Sequence, residues 1–238
     1  MSSEKIYKSV MSFGCMCSTA LFLRKNGFRS ESTIFDWFSS SLEANLKLLD
    51  NDFSDLLVKD YLYQPYKEFP HIVDNKFYGI SLNHLFNEYE TFEKQLSRVE
   101  RYCKERIARF KNNLKNGDAL LVYYSRDKEE CEWISKNETL LESYSKRFNF
   151  DWLFITNYPL ENNFKYQNYV IPSNNIHKPY GGEVSFPFEK DEAIIKFLNE
   201  HYDQAKKAKN LLYKPKKHSI KKVFQRFKKI GGIKLKIS

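Results

Sequence analysis

Nothing in the 238 residues approaches the run of roughly 18 apolar residues that a bilayer crossing requires. A secretion signal is missing too. Met1 to Lys8 mixes charges of both signs and leads into only a short apolar segment, so a cytoplasmic chain is expected. Cysteines are few, and Cys15, Cys17, Cys103 and Cys131 make no disulfide framework. Cys15-Met16-Cys17 is a CxC pair, but no second CxxC and no His-x-His completes a zinc site, so neither metal nor cofactor is expected. No GxGxxG and no internal repeat of 20 to 50 residues occurs, which argues against a sharp dinucleotide signature and against a solenoid.

Acidic residues stop at Asp203, and the charge is therefore unevenly spread. Thirteen Lys or Arg lie between Lys206 and Lys236, whereas the first 203 residues hold 26 basic against 30 acidic side chains. The formal net charge of +9 thus describes a mildly acidic body and a strongly basic tail. Such asymmetry points to a tail with its own electrostatic partner. Two units are expected, an α/β domain over 1–205 and a basic tail over 206–238. With 42% hydrophobic and 16% aromatic residues, the body can build a real core.

Along that body, strand and helix patterns alternate. Ile6 to Phe13 reads as a strand broken by Gly14, and Ser18 to Lys25 as a helix closed by Asn26-Gly27. Leu42 to Leu49 reads as a further helix, and Phe77 to Leu82 as a strand leading to His84; residues 50 to 80 carry no assignable pattern. Asn87 can cap a long helix from Glu88 to Leu114, whose apolar residues recur every three or four positions. Ala119 to Tyr124 and Asp151 to Thr156 are continuous apolar runs, the mark of strands buried on both faces. A helix after Asp127, a short strand near Tyr169 to Ile171 and a helix over Asp191 to Tyr202 complete the pattern. The alternation predicts a three-layer α/β fold with a mostly parallel sheet.

In the tail, Ile220, Val223, Phe224, Phe227 and Ile230 fall on one stripe of a helix, and Lys221, Lys222, Arg226, Lys228 and Lys229 take the remaining face. This is the pattern of an amphipathic helix lying in the plane of an anionic membrane, where each basic residue contributes about 1 kcal/mol. It predicts a peripheral position at the inner membrane face. A solvated basic tail and a nucleic-acid arm share the charges, but neither needs Phe224 and Phe227 on one side.

For chemistry, Cys17 falls between a strand end and a helix start. Backbone N–H groups and the positive end of the helix dipole favour thiolate there, so a lowered pKa is expected. The alternative is a small buried hydrophobe, a common use of free cysteine. Of the five histidines, His84 follows a strand end and is the first candidate for a base, with His177 second. Asp36, between Phe35 and Trp37, is expected to be buried with a partner such as Arg24, Arg29 or a histidine, or to cap the next helix.

The residues Ser12 to Cys17, Ala20, Leu23-Arg24, Gly27, Arg29, Ser32 and Phe35-Asp36-Trp37 resemble the opening motif of a bacterial family of unestablished function described as papain-like cysteine peptidases. Gly79 to His84 resembles its following histidine motif, and Arg101 to Phe110 with Leu120 to Arg126 its helix-and-strand segment; the likeness runs over residues 6 to 160. That family is encountered near surface-polysaccharide genes. The resemblance implies Cys17 as nucleophile, His84 as its base and Asp36 as a third member orienting the imidazole. It also places Ser32 and Trp37 in the motif that lines the site.

Three readings remain open. The first is a cysteine hydrolase or acyltransferase on a peptide, acyl or glycan substrate, with N–H groups at the Gly14 turn holding the oxyanion. The second is a transferase of surface-polysaccharide assembly, with Arg24, Arg29 and Arg126 as counter-charge for a sugar nucleotide or lipid-linked glycan. The third is a non-catalytic membrane adaptor.

Overall fold

The computed structural model describes residues 5–29, 31–82, 84–171, 188 and 191–212. In chain order the elements are β1 (Ser9–Ser12), α1 (Cys17–Lys25), a 3-10 helix (Ile34–Trp37), α2 (Leu42–Asp50), β2 (Leu62–Tyr63), β3 (Asp74–Asn75), β4 (Ile80–Ser81), α3 (Phe92–Lys115), β5 (Ala119–Ser125), α4 (Lys128–Lys136), α5 (Glu138–Phe148), β6 (Phe150–Thr156), β7 (Gln167–Val170), α6 (Glu192–His201) and α7 (Gln204–Leu212).

Four strands form the main sheet in the order β1-β5-β6-β7, every pair parallel. Successive side chains of a strand point to opposite faces, and both faces are buried. Val10, Leu120, Val122, Tyr124, Leu153 and Ile155 meet Phe22 and Leu23 of α1 with Ile194 and Leu198 of α6. Met11, Phe13, Leu121, Tyr123, Trp152 and Phe154 meet α2, α3, α4 and α5. The architecture is therefore the three-layer, mostly parallel α/β fold that the alternation predicts.

Local chemistry sets the ends of the helices. Gly27 at φ +76° closes α1, with Gly27 N–H donating to Arg24 O and Phe28 N–H to Leu23 O. The side chains of Ser41, Asp127 and Asp191 cap α2, α4 and α6 by accepting the N–H of Ala44, Glu130 and Ile194.

Three boundaries differ from expectation. The long helix starts at Phe92 rather than Glu88, because Gln95 exchanges hydrogen bonds with the backbone of Asn87 and folds residues 87–91 into a bend. The helix after Asp127 is two helices meeting at Asn137, whose side chain donates back to Trp133 O. Of Phe77 to Leu82 only Ile80–Ser81 is strand, since Asn75 Oδ1 accepts the N–H of Phe77 and Tyr78 and turns the chain there.

Residues 50 to 80, unassignable from sequence, form a small antiparallel sheet in the order β2-β3-β4. Its anchor is Asn75, fully buried, which also donates to Asp55 O and Leu56 O and so fills its hydrogen-bonding capacity.

α7 docks at the end of α1, where Asn210 Nδ2 donates to Gly27 O at 3.1 Å and Lys207 sits over the Phe28 ring. The stripe over 219–230, with Lys221, Lys222, Phe224, Arg226, Phe227, Lys228 and Lys229, lies outside the described residues, as does His177. No helix among the described residues is long and apolar enough to cross a membrane.

Candidate active site

β1 delivers the chain to the carboxyl edge of the sheet, the usual place for ligands in open α/β folds. Phe13 continues the strand by one bond, its N–H donating to Val122 O at 3.0 Å, and its ring is sealed among Phe35, Phe110 and Trp152. The chain then reverses through Gly14 at φ +99° and Cys15 at φ +66°. Two consecutive left-handed residues are costly unless the surroundings hold them. Here Asn45, fully buried on α2, donates to Phe13 O at 2.5 Å. A β-carbon on Gly14 would stand 2.4 Å from the same Asn45 amide and 2.9 Å from Ser40 Oγ. Glycine is thus required twice at position 14, for its φ and for its space.

This turn places Cys17 at the first position of α1. The preceding Met16 is extended and offers no side-chain cap, and the first helical turn holds no acidic residue. The N–H groups at this helix start thus lack a side-chain acceptor from the cap. The thiol nonetheless does not show the lowered pKa expected from the sequence. Burial raises the Cys17 pKa, and the backbone N–H of Cys17 only partly offsets it. Desolvation of a half-buried thiolate here outweighs the helix terminus. Cys15 is pushed further, up to about 12, by burial and then by Glu130.

His84 stands three residues past the last strand residue of β4. Its ring meets Trp37 edge-on, the centroids 5.3 Å apart and the planes at 66°. Burial of the ring holds its pKa below the ordinary value, and His71 adds to that. No hydrogen bond joins Cys17 to His84 among the described residues. One segment touches both neighbourhoods. Trp37 packs on His84, Ser39 pairs with Ser81 through two backbone bonds of 2.9 and 3.0 Å, and Ser40 Oγ abuts the Gly14 turn. Residues 37–40 therefore bridge the cysteine turn and the histidine loop.

Asp36 is fully buried, and its contacts are local. It pairs with Arg29 and accepts Thr33 N–H at 2.9 Å and Thr33 Oγ1 at 3.2 Å, a capping box on the 3-10 helix. Burial pushes its carboxyl up, and Arg29 and Thr33 pull it back. No hydrogen bond runs from Asp36 to His84 among the described residues. Arg29 also donates to Ala20 O at 2.8 Å and Glu31 O at 3.2 Å, which clamps the middle of α1 to the 31–36 segment. Arg24 is solvent-facing, with its pKa lowered by partial burial and by Arg29. Ser32 is half-buried, and its carbonyl accepts Arg109 at 3.4 Å. Gly14 lies against Ser40, and Trp37 at the other end of the same 37–40 segment lies against His84. Arg24, Arg29, Ser32 and Asp36 form a separate group, centred one helical turn along α1. Arg126 follows β5 at the sheet edge, where its charge acts on Cys15.

A residue that sequence reasoning missed closes the floor of this edge. Glu130 accepts Leu42 N–H at 2.9 Å, Tyr123 OH at 2.6 Å and Ser125 Oγ at 2.6 Å, and so ties the start of α2 to the end of β5. The Asp127-x-x-Glu130 spacing of a capping box was its only signal. Asn45 gave none, since nothing in Leu42 to Leu49 marks one polar residue as the support of a turn 31 positions earlier. Among the described residues no group of three His, Cys, Asp or Glu side chains is arranged to hold a metal.

With this geometry in place, comparison with known families is decisive over most of the body. Residues 8–159 match the model of a family described as "Putative papain-like cysteine peptidase". The chain belongs to that family. No curated protein and no solved structure matches it. The matched span holds β1 to β6 and with them Cys17, Trp37 and His84, while α6, α7 and the basic tail lie beyond it.

Proposed function

We propose that this family member is a cysteine-dependent hydrolase or acyl-transfer enzyme, with Cys17 as nucleophile and His84 as its base. The observation that supports the reading is the 37–40 segment, which lies against the Gly14 turn through Ser40 and against the His84 ring through Trp37. Catalytic hydrogen bonds are commonly long in unliganded enzymes and tighten with substrate.

The electrostatics favour a neutral resting pair. A raised Cys17 pKa and a lowered His84 pKa leave thiol and imidazole both uncharged near neutral pH. Attack on a carbonyl then requires His84 to take the thiol proton as the C–S bond forms and the carbonyl electrons move to oxygen. N–H groups at the start of α1 receive the oxyanion. Its collapse expels the leaving group, which takes the proton from His84. Water or an acceptor alcohol or amine then attacks the thioester, His84 accepts its proton, and the thiol is restored. Asp36 serves this site from below, as the buried anchor of Arg29 and the 3-10 helix that carries Trp37.

The substrate is a peptide, acyl or glycan-linked carbonyl compound. The basic stripe over 219–230 holds the enzyme at an anionic membrane surface, and removal of 213–238, which leaves α7 in place, should abolish binding to anionic vesicles. A panel of peptide, thioester and ester substrates tests the chemistry. Cys17→Ala should abolish turnover, and a rate retained within about threefold of wild type would overturn the assignment.

A further inference from the structure

We propose that Asn45 is a positioning residue for Cys17, its buried amide gripping the strand end from which the Gly14–Cys15 turn delivers the thiol to the start of α1. The inference rests on the assignment of Cys17 as nucleophile and names the group that keeps it in place.

The path from strand to nucleophile is short. Phe13 ends the strand, Gly14 and Cys15 take φ of +99° and +66°, Met16 is extended, and Cys17 opens α1. The conformations of these few residues set where the thiol stands. Cys15 is a non-glycine residue in the left-handed region, where its β-carbon crowds the backbone. Such a conformation persists only where the surroundings over-determine it. At the near end of the turn they do so through Phe13. Its N–H donates to Val122 O at 3.0 Å, and its carbonyl accepts Asn45 Nδ2 at 2.5 Å. Sheet and α2 thus hold the residue on both sides of its α-carbon.

Asn45 is itself held. Ser41 Oγ accepts Ala44 N–H at 3.2 Å, Ser41 O accepts Asn45 N–H at 3.2 Å, and Leu42 N–H donates to Glu130 at 2.9 Å. The first turn of α2 is therefore fixed at the point from which the amide reaches the strand end. The same side chain closes position 14, where a β-carbon would collide with the Asn45 amide and the Ser40 hydroxyl.

Stability of the core does not ask for this residue. The other buried residues of α2 are Leu42, Ala44, Leu46, Leu48 and Leu49. Asn45 is fully buried among them, and its Oδ1 has no hydrogen-bond partner among the described residues. A buried acceptor left open is costly. Rules of this kind are broken at functional sites, and the return here is a donor to Phe13 O, four residues before Cys17.

The test compares Asn45→Ala and Asn45→Leu with Leu48→Ala in the full chain. Asn45→Leu keeps most of the volume and removes the donor without adding charge. Leu48 is equally buried on α2, so Leu48→Ala controls for lost packing. Near-UV circular dichroism reports folding of each. The readout is Cys17 alkylation by iodoacetamide across pH, resolved by mass spectrometry. Burial raises the Cys17 pKa, so a loosened turn should bring the midpoint down toward the free value of about 8.5. Both Asn45 variants should show that shift, and Leu48→Ala should keep the wild-type midpoint. On a turned-over substrate, kcat should fall about tenfold or more in the Asn45 variants, as expected for a displaced catalytic group, with KM nearly unchanged. A wild-type midpoint and kcat in either folded Asn45 variant would overturn the proposal. If the midpoint shifts as expected while Cys17→Ala retains turnover, the positioning of Cys17 stands and its assignment as nucleophile falls instead.

Discussion

Trp37 holds His84 edge-on, with ring centroids 5.3 Å apart, at the end of a 3-10 helix whose other side is pinned by the Asp36–Arg29 pair. An aromatic contact of this kind contributes about 0.5–1.5 kcal/mol beyond the area it buries. It also has an electrostatic consequence, since the indole takes the place of water along one side of an otherwise exposed ring.

Burial is the larger cause of the lowered His84 pKa. Trp37→Ala should therefore move the His84 midpoint up toward its ordinary value, while Trp37→Phe should leave most of the depression in place. An NMR titration of the three proteins checks this, and identical midpoints would contradict it.

The Asp36–Arg29 pair makes a stability prediction. Asp36→Asn leaves a guanidinium buried without its carboxylate, at a cost of about 3–5 kcal/mol. Replacing both partners, Asp36→Leu with Arg29→Met, should recover most of that in urea unfolding. The same single variant separates two roles for Asp36. As an anchor it leaves the His84 midpoint where it was in the folded protein. As a third catalytic residue its replacement would lower that midpoint.

A third prediction concerns alkaline pH. Burial holds the thiols of Cys15 and Cys103 up at about 12. A thiol whose pKa is higher in the folded than in the unfolded chain adds stability that is fully present below its unfolded value, about 8.5. That stability is lost as pH rises through the folded value. Stability in urea should decline from about pH 8.5 upward, and Cys15→Ala with Cys103→Ala should flatten the decline. An equally steep decline in the double variant would contradict it.

The parts of the fold legible in the sequence are those where one physical rule dominates. Ala119 to Tyr124 and Asp151 to Thr156 are buried on both sheet faces, so their continuous apolar runs announce them. The three-to-four spacing of Val99, Cys103, Phe110 and Leu114 gave the long helix for the same reason. Side-chain hydrogen bonds to distant backbone left no such trace. Gln95 moves a helix start, Asn75 builds a sheet from strands of two residues, and Asn45 supports the Gly14 turn from α2. In the site, the position of Cys17 between a strand end and a helix start was legible, and its pKa direction was not. The helix terminus is visible in the sequence, but the burial that outweighs it depends on the whole fold.

The central claim, that Cys17 and His84 act as one unit from a neutral resting state, is tested most directly by the pH dependence of Cys17 alkylation. Mass spectrometry of the Cys17 peptide separates it from the other three cysteines. Wild type should show a thiol midpoint above about 8.5 together with a lower step that follows the His84 titration. His84→Ala should remove that step and slow alkylation at pH 7 about tenfold or more, the scale of one general base. Superimposable profiles for the two proteins would mean that Cys17 reacts without His84, and the account would be wrong.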